Sequence, residues 1–280
     1  MKRMKILVSN DDGIYARGVV LLANHLAGLG HEVTVVAPDR ERSGAGNSIS
    51  TSPLRLKPET FPEYDARVTA FKCSGTPADC ALIGLEEAAP DAELVLSGIN
   101  SGPNLGCDVF YSGTVAAARE GYFEGRHSIA VSLNLDAGGS KKQEHYETAL
   151  LAVEAIVGNL DAVFGKGGTA LLNVNVPNLP SPEVRGFRMS AAGRRRYRNR
   201  VQACAAPEGG KIYWVGGTPA IDEEGENSDS RAVNDGFVAL TFLMHDTTDY
   251  ALNGRSGACA LDWANALIDS EGATRGLLSF

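Results

Sequence analysis

The chain has 280 residues, of which 44% are hydrophobic and 21% are charged, a composition typical of a globular protein. The net charge of −8 and the pI of about 5.2 argue against a nucleic-acid polymer as partner, because such a partner requires an excess of positive charge. The five cysteines are odd in number and widely spaced, which excludes a disulfide framework and a zinc site. The apolar run before Ser9 is too short for a signal peptide or a membrane span, so we expect a cytoplasmic protein without a membrane partner.

The first 37 residues predict a βαβ unit. Met4–Ser9 is a short, mostly apolar strand, and Gly18–Leu29 has its apolar residues spaced as on one face of a helix. His31–Ala37 is rich in β-branched residues and predicts a second strand. The two strands should be parallel and joined by a right-handed crossover.

The alternation of strands and helices continues to residue 176. Thr76, Pro77 and Asp79 are typical of a helix start, with an N-cap hydroxyl, a proline in the first turn and an early acidic residue. Further segments are predicted as extended pieces at 54–56 and 67–73, strands at 93–96, 128–133 and 170–176, and helices at 114–123 and 146–160. This pattern predicts an α/β fold, a Rossmann-like, doubly wound, mostly parallel sheet with helices on both faces.

The pattern changes after Pro177. Residues 178–235 are rich in proline, glycine and charge, and candidate strands at 197–204 and 211–215 predict a β-hairpin arm. The basic run Arg194–Arg196 is predicted to be a solvated face, and the acidic stretch Glu223–Asp229 a solvated loop.

A further strand at 237–243 and a terminal helix at 258–268 complete the predicted elements. We therefore divide the chain into a Rossmann-like catalytic core, residues 1–190, and a C-terminal part, residues 191–280. The C-terminal part contains the hairpin arm, the added strand and the terminal helix.

The stretch Val8–Gly13, VSNDDG, ends the first strand with two adjacent carboxylates, Asp11 and Asp12. Charges at the end of a buried strand need a partner, and a hard divalent cation would keep both carboxylates ionised. The alternative is an Asx-rich turn, in which Asn10 and the aspartates bond the backbone and cap the next helix. This stretch alone leaves both interpretations open.

Other oxygen donors follow neighbouring strands of the same predicted sheet. Ser43 lies in the loop after the second strand, and Asn100 follows the strand at 93–96. Because ligands bind beyond the carboxyl ends of strands in an open α/β sheet, these groups should meet Asp11 and Asp12 at one edge. Two carboxylates, a hydroxyl and an amide oxygen form a set suited to Mg²⁺ or Mn²⁺.

A predicted phosphate seat lies at the same edge. Ser112, Gly113 and Thr114 begin a helix, where free N–H groups and the positive end of the helix dipole attract anions. Taken alone, this start is better explained as a plain helix cap, and the phosphate prediction rests on its position beside the other oxygen donors. Fingerprints of nucleoside triphosphatases and dinucleotide enzymes are absent from the sequence, which disfavours both classes.

Five ordered motifs resemble the SurE family, the stationary-phase survival proteins, which are metal-dependent 5′/3′-nucleotidases. The motifs are VSNDDG (8–13), APDRERSGAGNSIS (37–50), GTPADC (75–80), SGINSGPNLG (97–106) and YSGTVAAA (111–118). The resemblance implies a phosphomonoesterase that removes phosphate from nucleoside 5′- and 3′-monophosphates and, in some members, trims short polyphosphate. A nucleotide-binding sensor without catalysis is the alternative function.

The resemblance also implies roles for individual residues. One divalent ion per subunit, Mg²⁺ or Mn²⁺, would be held by Asp11, Asp12, Ser43 and Asn100. The phosphate would contact Ser112, Gly113 and Thr114, with Asn104 nearby. Apart from the resemblance, we expect Asp11 and Asp12 to be catalytic, because one of the two carboxylates can accept a proton from the attacking water. The arm and terminal helix would be exchanged between subunits of a homodimer, sometimes within a tetramer.

Overall fold

The computed structural model describes residues 2–135, 143–165, 168–198, 201–223 and 225–250. The chain forms two compact units, Met1–Leu243 and Met244–Phe280. In the second unit, the Asp246 carboxylate accepts a hydrogen bond from the Thr248 N–H at 2.9 Å. The terminal helix predicted at 258–268 lies outside the described residues.

The first unit alternates strands and helices as the sequence predicts. Its strands are β1 (Lys5–Ser9), β2 (Glu32–Pro38), β3 (Leu56–Glu59), β4 (Val68–Cys73), β5 (Leu94–Ser101), β6 (His127–Asn134), β7 (Leu171–Pro177), β8 (Phe187–Met189), β9 (Arg194–Arg198), β10 (Val201–Ala205), β11 (Lys211–Val215), β12 (Thr218–Glu223) and β13 (Val238–Leu243). Its helices are α1 (Arg17–Gly28), α2 (Pro77–Ile83), α3 (Gly113–Phe123), α4 (Tyr146–Val157), α5 (Leu160–Phe164) and α6 (Asp229–Asn234).

Among the described residues, nine strands form one sheet in the order β3-β4-β2-β1-β5-β6-β7-β13-β8. The six strands from β4 to β7 in that order pair in parallel, whereas β3 and β13 join antiparallel. Side chains alternate between two cores: Ile6 and Val8 face the core that includes α1 and α4, and Leu7 faces the core that includes α2. The predicted α/β, mostly parallel, doubly wound sheet is confirmed.

Several elements differ from the predicted boundaries, β5 and α4 among them. The strand predicted at 93–96 continues as β5 to Ser101, so it carries Asn100 within it. The helix predicted at 146–160 stops at Val157, and α5 follows as a separate short helix. Gly158 is the C-cap residue of α4 at this break.

The arm is a longer hairpin than the sequence predicts, and it is interrupted. The predicted strand at 197–204 is two strands, β9 and β10, which pair with β12 and β11 respectively. Gly216 and Gly217 separate β11 from β12, and Gly217 has a positive φ of 120° that ordinary side chains rarely adopt. Glycines weaken a strand, so the hairpin divides into two ladders at this point.

Helix α1 approaches β5 closely at Gly18. A methyl group on Gly18 would lie 1.9 Å from the carbonyl oxygen of Ile99, so the backbone would have to move. We expect Gly18→Ala to lower the free energy of unfolding by about 1–3 kcal/mol, the usual cost of overpacking. Gly28, in the same helix, is the matched control because an added methyl meets nothing within 4 Å. Urea unfolding compares the two variants, and equal stability would contradict this packing.

No helix in the described ranges combines the length and the apolar character needed to cross a membrane.

Candidate functional site

The end of β1 meets the start of α3 and the end of β5. Asp11 is 4% exposed, and its Oδ1 accepts a hydrogen bond from the Thr114 hydroxyl at 2.5 Å. The Oδ2 of Asp12 accepts a hydrogen bond from the Ser101 N–H at 3.2 Å. Three segments that are distant in the sequence are therefore joined through the two adjacent aspartates.

Burial disfavours the ionised form of both carboxylates. Burial raises the pKa of Asp11 from 3.8 to about 6, although the hydrogen bond from Thr114 opposes the shift. The charges of Asp12 and Glu41 raise it further. Burial likewise raises the pKa of Asp12. Within the described ranges, no Lys, Arg or His side chain forms an ion pair with either carboxylate, so a cation from outside the chain would relieve this cost.

The residues at this edge fit a hard divalent cation. Asp11, Asp12, Ser43 and Asn100 all line one cavity of about 730 Å³. The amide nitrogen of Asn100 donates to the Gly102 carbonyl at 2.9 Å, so the amide oxygen is the atom that would face a cation. In the part of the chain that the structure describes, no group of three or more His, Cys, Asp or Glu could hold a metal. The candidate donors are two carboxylates and neutral oxygens, a set that would suit Mg²⁺ or Mn²⁺ better than zinc.

The N-terminus of α3 lies directly against Asp11. Ser112 caps the helix, since its hydroxyl accepts a hydrogen bond from the Val115 N–H at 3.0 Å. A methyl group on Gly113 would lie 2.6 Å from Cβ of Asp11 and 2.8 Å from Cγ of Pro77, so only glycine allows this approach. The first N–H groups of a helix have no partner within it and form a seat for an anion.

Asn104 connects this helix start to the sheet. Its side-chain nitrogen donates to the Ser132 hydroxyl at 2.8 Å and, more weakly, to the Thr114 hydroxyl at 3.4 Å. Its backbone carbonyl accepts hydrogen bonds from the side-chain amides of Asn173 and Asn175 on β7. Both β7 asparagines are fully buried, and the sequence analysis missed them. The sequence pattern that could have identified them is a pair of asparagines at alternate positions of a strand that is otherwise apolar.

The loop that carries Ser43 is fixed by Asp79. The Asp79 carboxylate accepts hydrogen bonds from the Ser50 N–H at 3.0 Å and from the Ser50 hydroxyl at 2.6 Å. It also accepts a hydrogen bond from the Thr76 N–H, while the Thr76 hydroxyl accepts one from the Asp79 N–H. The predicted start of α2 is therefore confirmed as a reciprocal cap, and the same carboxylate ties the loop to it.

The arm forms part of the cavity, which the sequence analysis did not predict. Tyr197 and residues 215–217 line it, and a 3₁₀ turn at Gly106–Phe110 contributes Asp108. Arg195 was predicted to belong to a solvated face, which is wrong for this residue, because its side chain is only 10% exposed and is paired with Asp108. Its neighbours Arg194 and Arg196 are exposed, as the alternation of a strand requires.

Asp229 is also placed differently from the prediction of a solvated loop. Its side chain is fully buried, and its carboxylate accepts hydrogen bonds from the N–H groups of Gly106 at 2.7 Å and Gly193 at 3.0 Å. The N–H of Ser230 donates to the same group at 2.9 Å. A carboxylate can be buried when several backbone donors satisfy it. A helix start at Ser228-Asp229 was the signal in the sequence.

The predicted site residues come together at the carboxyl edge of the sheet. Six of them line the cavity: Asp11, Asp12, Ser43, Asn100, Asn104 and Ser112. Gly113 and Thr114 do not line the cavity, but the Thr114 hydroxyl bonds Asp11, and a methyl group on Gly113 would meet the same side chain. Glu41 and Tyr111 also line the cavity and had not been singled out. The ligand and catalytic roles of the predicted residues stay predictions.

The fold and the cavity define an α/β protein with a carboxylate-bearing, oxygen-rich site beside a helix N-terminus. Residues 6–199 match the family model described as Survival protein SurE. The 5′-nucleotidase SurE of Stenotrophomonas maltophilia (strain R551-3) is 45% identical over 254 residues, covering 88% of this chain and 92% of that protein. The 5′-nucleotidase SurE of Legionella pneumophila (strain Corby) is 46% identical over 254 residues, covering 89% and 94%.

A solved structure gives the same result. The crystal structure of SurE protein from Aquifex aeolicus superposes with a TM-score of 0.72 at 36% identity, covering 90% of this chain and 97% of that one. The chain belongs to the SurE family.

Proposed function

We propose that this protein is a 5′-nucleotidase, a metal-dependent phosphomonoesterase that hydrolyses nucleoside 5′-monophosphates, and also 3′-monophosphates, to nucleoside and phosphate. The observation that carries the proposal is the contact between the buried Asp11 and the start of α3 at a cavity lined by oxygen donors. Relatives that cover most of the chain and bear the name 5′-nucleotidase SurE support the same activity.

Asp11, Asp12, Ser43 and Asn100 would hold one Mg²⁺ or Mn²⁺ ion per subunit. When bound, such an ion supplies Lewis-acid chemistry to a phosphate and its attacking water. The charge of the two carboxylates holds the ion, and one of them accepts the proton that the water loses.

The rest of the site orients the substrate. The N–H groups of Gly113 and Thr114 stabilise negative charge on the phosphate oxygens as it develops. The Thr114 hydroxyl holds the Asp11 carboxylate in one orientation through its 2.5 Å hydrogen bond. Asn104 supports Thr114 from the sheet side. Positioning of this kind is effective because little reorganisation is needed when the substrate reacts.

The predicted terminal helix and the outer hairpin of the arm, β10 and β11, would be exchanged between subunits of a homodimer or tetramer, whereas β9, α6 and β13 contact the core of their own chain. The protein would act in the cytoplasm. Support for an exchanged arm comes from β10 and β11, whose residues are all exposed. Val201, Tyr213, Trp214 and Val215 are among them and are between 60% and 80% exposed. Large exposed apolar patches mark interaction surfaces.

The test is phosphate release from AMP with Mn²⁺ or Mg²⁺, repeated after chelation with EDTA. Activity should be lost on chelation and should return when either ion is added back, because the carboxylates alone cannot hold a phosphate dianion. Full activity in EDTA would contradict the metal requirement. Binding of AMP without turnover under either ion would favour the nucleotide sensor instead.

A further inference from the structure

The cavity has two chemically different walls. The sheet side presents the carboxylates of Asp11 and Asp12 near the start of α3. The arm side is formed by Tyr197, Val215, Gly216 and Gly217. We name these four arm residues the arm wall. It carries no charged side chain, and it offers one aromatic ring and a low glycine surface.

A nucleoside monophosphate has two matching ends. Its phosphate is a dianion that suits the cation donors and the helix start. Its base is planar and uncharged, and such groups bind against aromatic and apolar surfaces. The arm wall therefore matches the nucleoside, and a cavity of about 730 Å³ has room for both ends.

Asp108 fixes the arm wall to the core. Its Oδ2 accepts a hydrogen bond from Arg195 Nη1 at 2.7 Å and another from the Tyr197 hydroxyl at 2.6 Å. The Arg195 and Asp108 side chains are 10% and 16% exposed, so water screens this ion pair weakly. Arg195 and Tyr197 lie on the same face of β9, and the Asp108 carboxylate bonds both of them. It therefore fixes the orientation of β9 and of the Tyr197 side chain.

The turn that carries Asp108 is itself anchored. Asp229 accepts hydrogen bonds from Gly106, at the start of the turn, and from Gly193, at the base of the arm. A methyl group on Gly106 would lie 2.4 Å from the Gly193 carbonyl oxygen, so the two backbones are in close contact. Ser112, which caps α3, follows the turn by two residues. One short segment thus joins the phosphate end of the cavity to its arm wall.

We propose that Asp108 is a positioning residue that holds the arm wall at the nucleoside end of the cavity. It sets the affinity for the nucleoside and takes no part in phosphate chemistry. The inference rests on the proposed function, because it takes a nucleoside monophosphate as the ligand.

The experiment compares AMP with ribose 5-phosphate, which has the same phosphate and ribose but no base. In the Mn²⁺-loaded protein, Asp108→Ala should raise KM for AMP about tenfold or more. That tenfold change in affinity corresponds to about 1.4 kcal/mol. The variant should leave kcat for AMP, and kcat/KM for ribose 5-phosphate, within about threefold of the wild type, because neither depends on contacts with the base. Asp108→Asn, which retains an acceptor oxygen, should recover most of the loss.

Asp235→Ala is the matched control. Asp235 also accepts a hydrogen bond from an arginine, Arg188 Nη1 at 2.9 Å, but it does not line the cavity. Removal of the Asp235 carboxylate should leave the ratio of KM for AMP to KM for ribose 5-phosphate unchanged. Thermal melting checks that each variant folds, and if Asp108→Ala does not fold, Tyr197→Phe, which removes only one of the two hydrogen bonds, is judged by the same ratio.

Three outcomes would overturn the inference: equal losses with both substrates, an unchanged KM for AMP in Asp108→Ala, or the same shift in the Asp235 control. Calorimetric Kd values for AMP separate this inference from the proposed function. If the wild type hydrolyses neither substrate with either ion, the nucleotidase proposal fails. The positioning role is then still decided by whether Asp108→Ala weakens AMP binding about tenfold or leaves it unchanged.

Discussion

Asp11→Asn is expected to lower the rate of phosphate release from AMP by at least about a hundredfold, the usual cost when groups that position the reactants are lost. Asparagine keeps the shape of the side chain and an acceptor oxygen for the Thr114 hydroxyl, so the 2.5 Å hydrogen bond can remain. The negative charge is removed, and the second carboxylate oxygen is replaced by an amide NH2 group, which cannot bind a cation. Asp12→Asn should have a comparable effect, because both carboxylates are needed to balance a divalent ion.

The measurement is kcat/KM for AMP with saturating Mn²⁺. Asp39→Asn is the control, since Asp39 also lies beyond a strand of the sheet but does not line the cavity. Its activity should stay within about threefold of the wild type. Turnover unchanged in both the Asp11 and the Asp12 variants would refute their proposed role.

The same Asp11→Asn substitution is expected to stabilise the protein when no metal is present. Burial raises the pKa of Asp11 from 3.8 to about 6 in the folded state. A raised pKa of about two units corresponds to about 3 kcal/mol, at about 1.4 kcal/mol per unit. The folded state binds the proton of Asp11 more tightly than the unfolded chain does. The protonated side chain therefore contributes about 3 kcal/mol of folding stability below about pH 4, and this contribution is lost as the pH rises through about 6. Asparagine does not ionise and avoids the loss.

Urea unfolding in EDTA tests this expectation. The variant should exceed the wild type by about 3 kcal/mol near pH 8, and the difference should disappear near pH 4. Mn²⁺ added near pH 8 should stabilise the wild type and reduce the difference, because a ligand that binds the folded state stabilises it. A difference that is the same at both pH values would show that ionisation of Asp11 is not its cause.

The sequence predicted the elements whose signals are local. Thr76 and Asp79 lie three positions apart, and their reciprocal cap is visible in the order of residue types alone. Asp11, Asp12 and Asn100 could be assigned to one edge because parallel strands of an open α/β sheet present their carboxyl ends together. Of the six predicted residues that line the cavity, five were placed at this edge by such reasoning, and Asn104 came from the family resemblance.

The residues whose environment the sequence did not predict depend on partners that are distant in the chain. Arg195 resembles its exposed neighbours in the sequence, and only its bond to Asp108, 87 positions earlier, makes it nearly buried. Asn173 and Asn175 are polar residues whose acceptor, the Asn104 carbonyl, is about 70 positions away. The cost of burying a polar group is removed by its hydrogen bonds, and these cannot be read from composition or periodicity.

The bonds that Asp229 makes also set the order in which the protein can be completed during synthesis. Gly106 and its anchor are 123 positions apart, so translation delivers all of the proposed cation and phosphate ligands long before the carboxylate that secures the turn between the sheet and α3. A nascent polypeptide that ends before Asp229 holds those ligands without the closed pocket. The cavity is therefore completed only after residue 229 has been translated, when Asp229 can bond Gly106 and β13 can pair with β7.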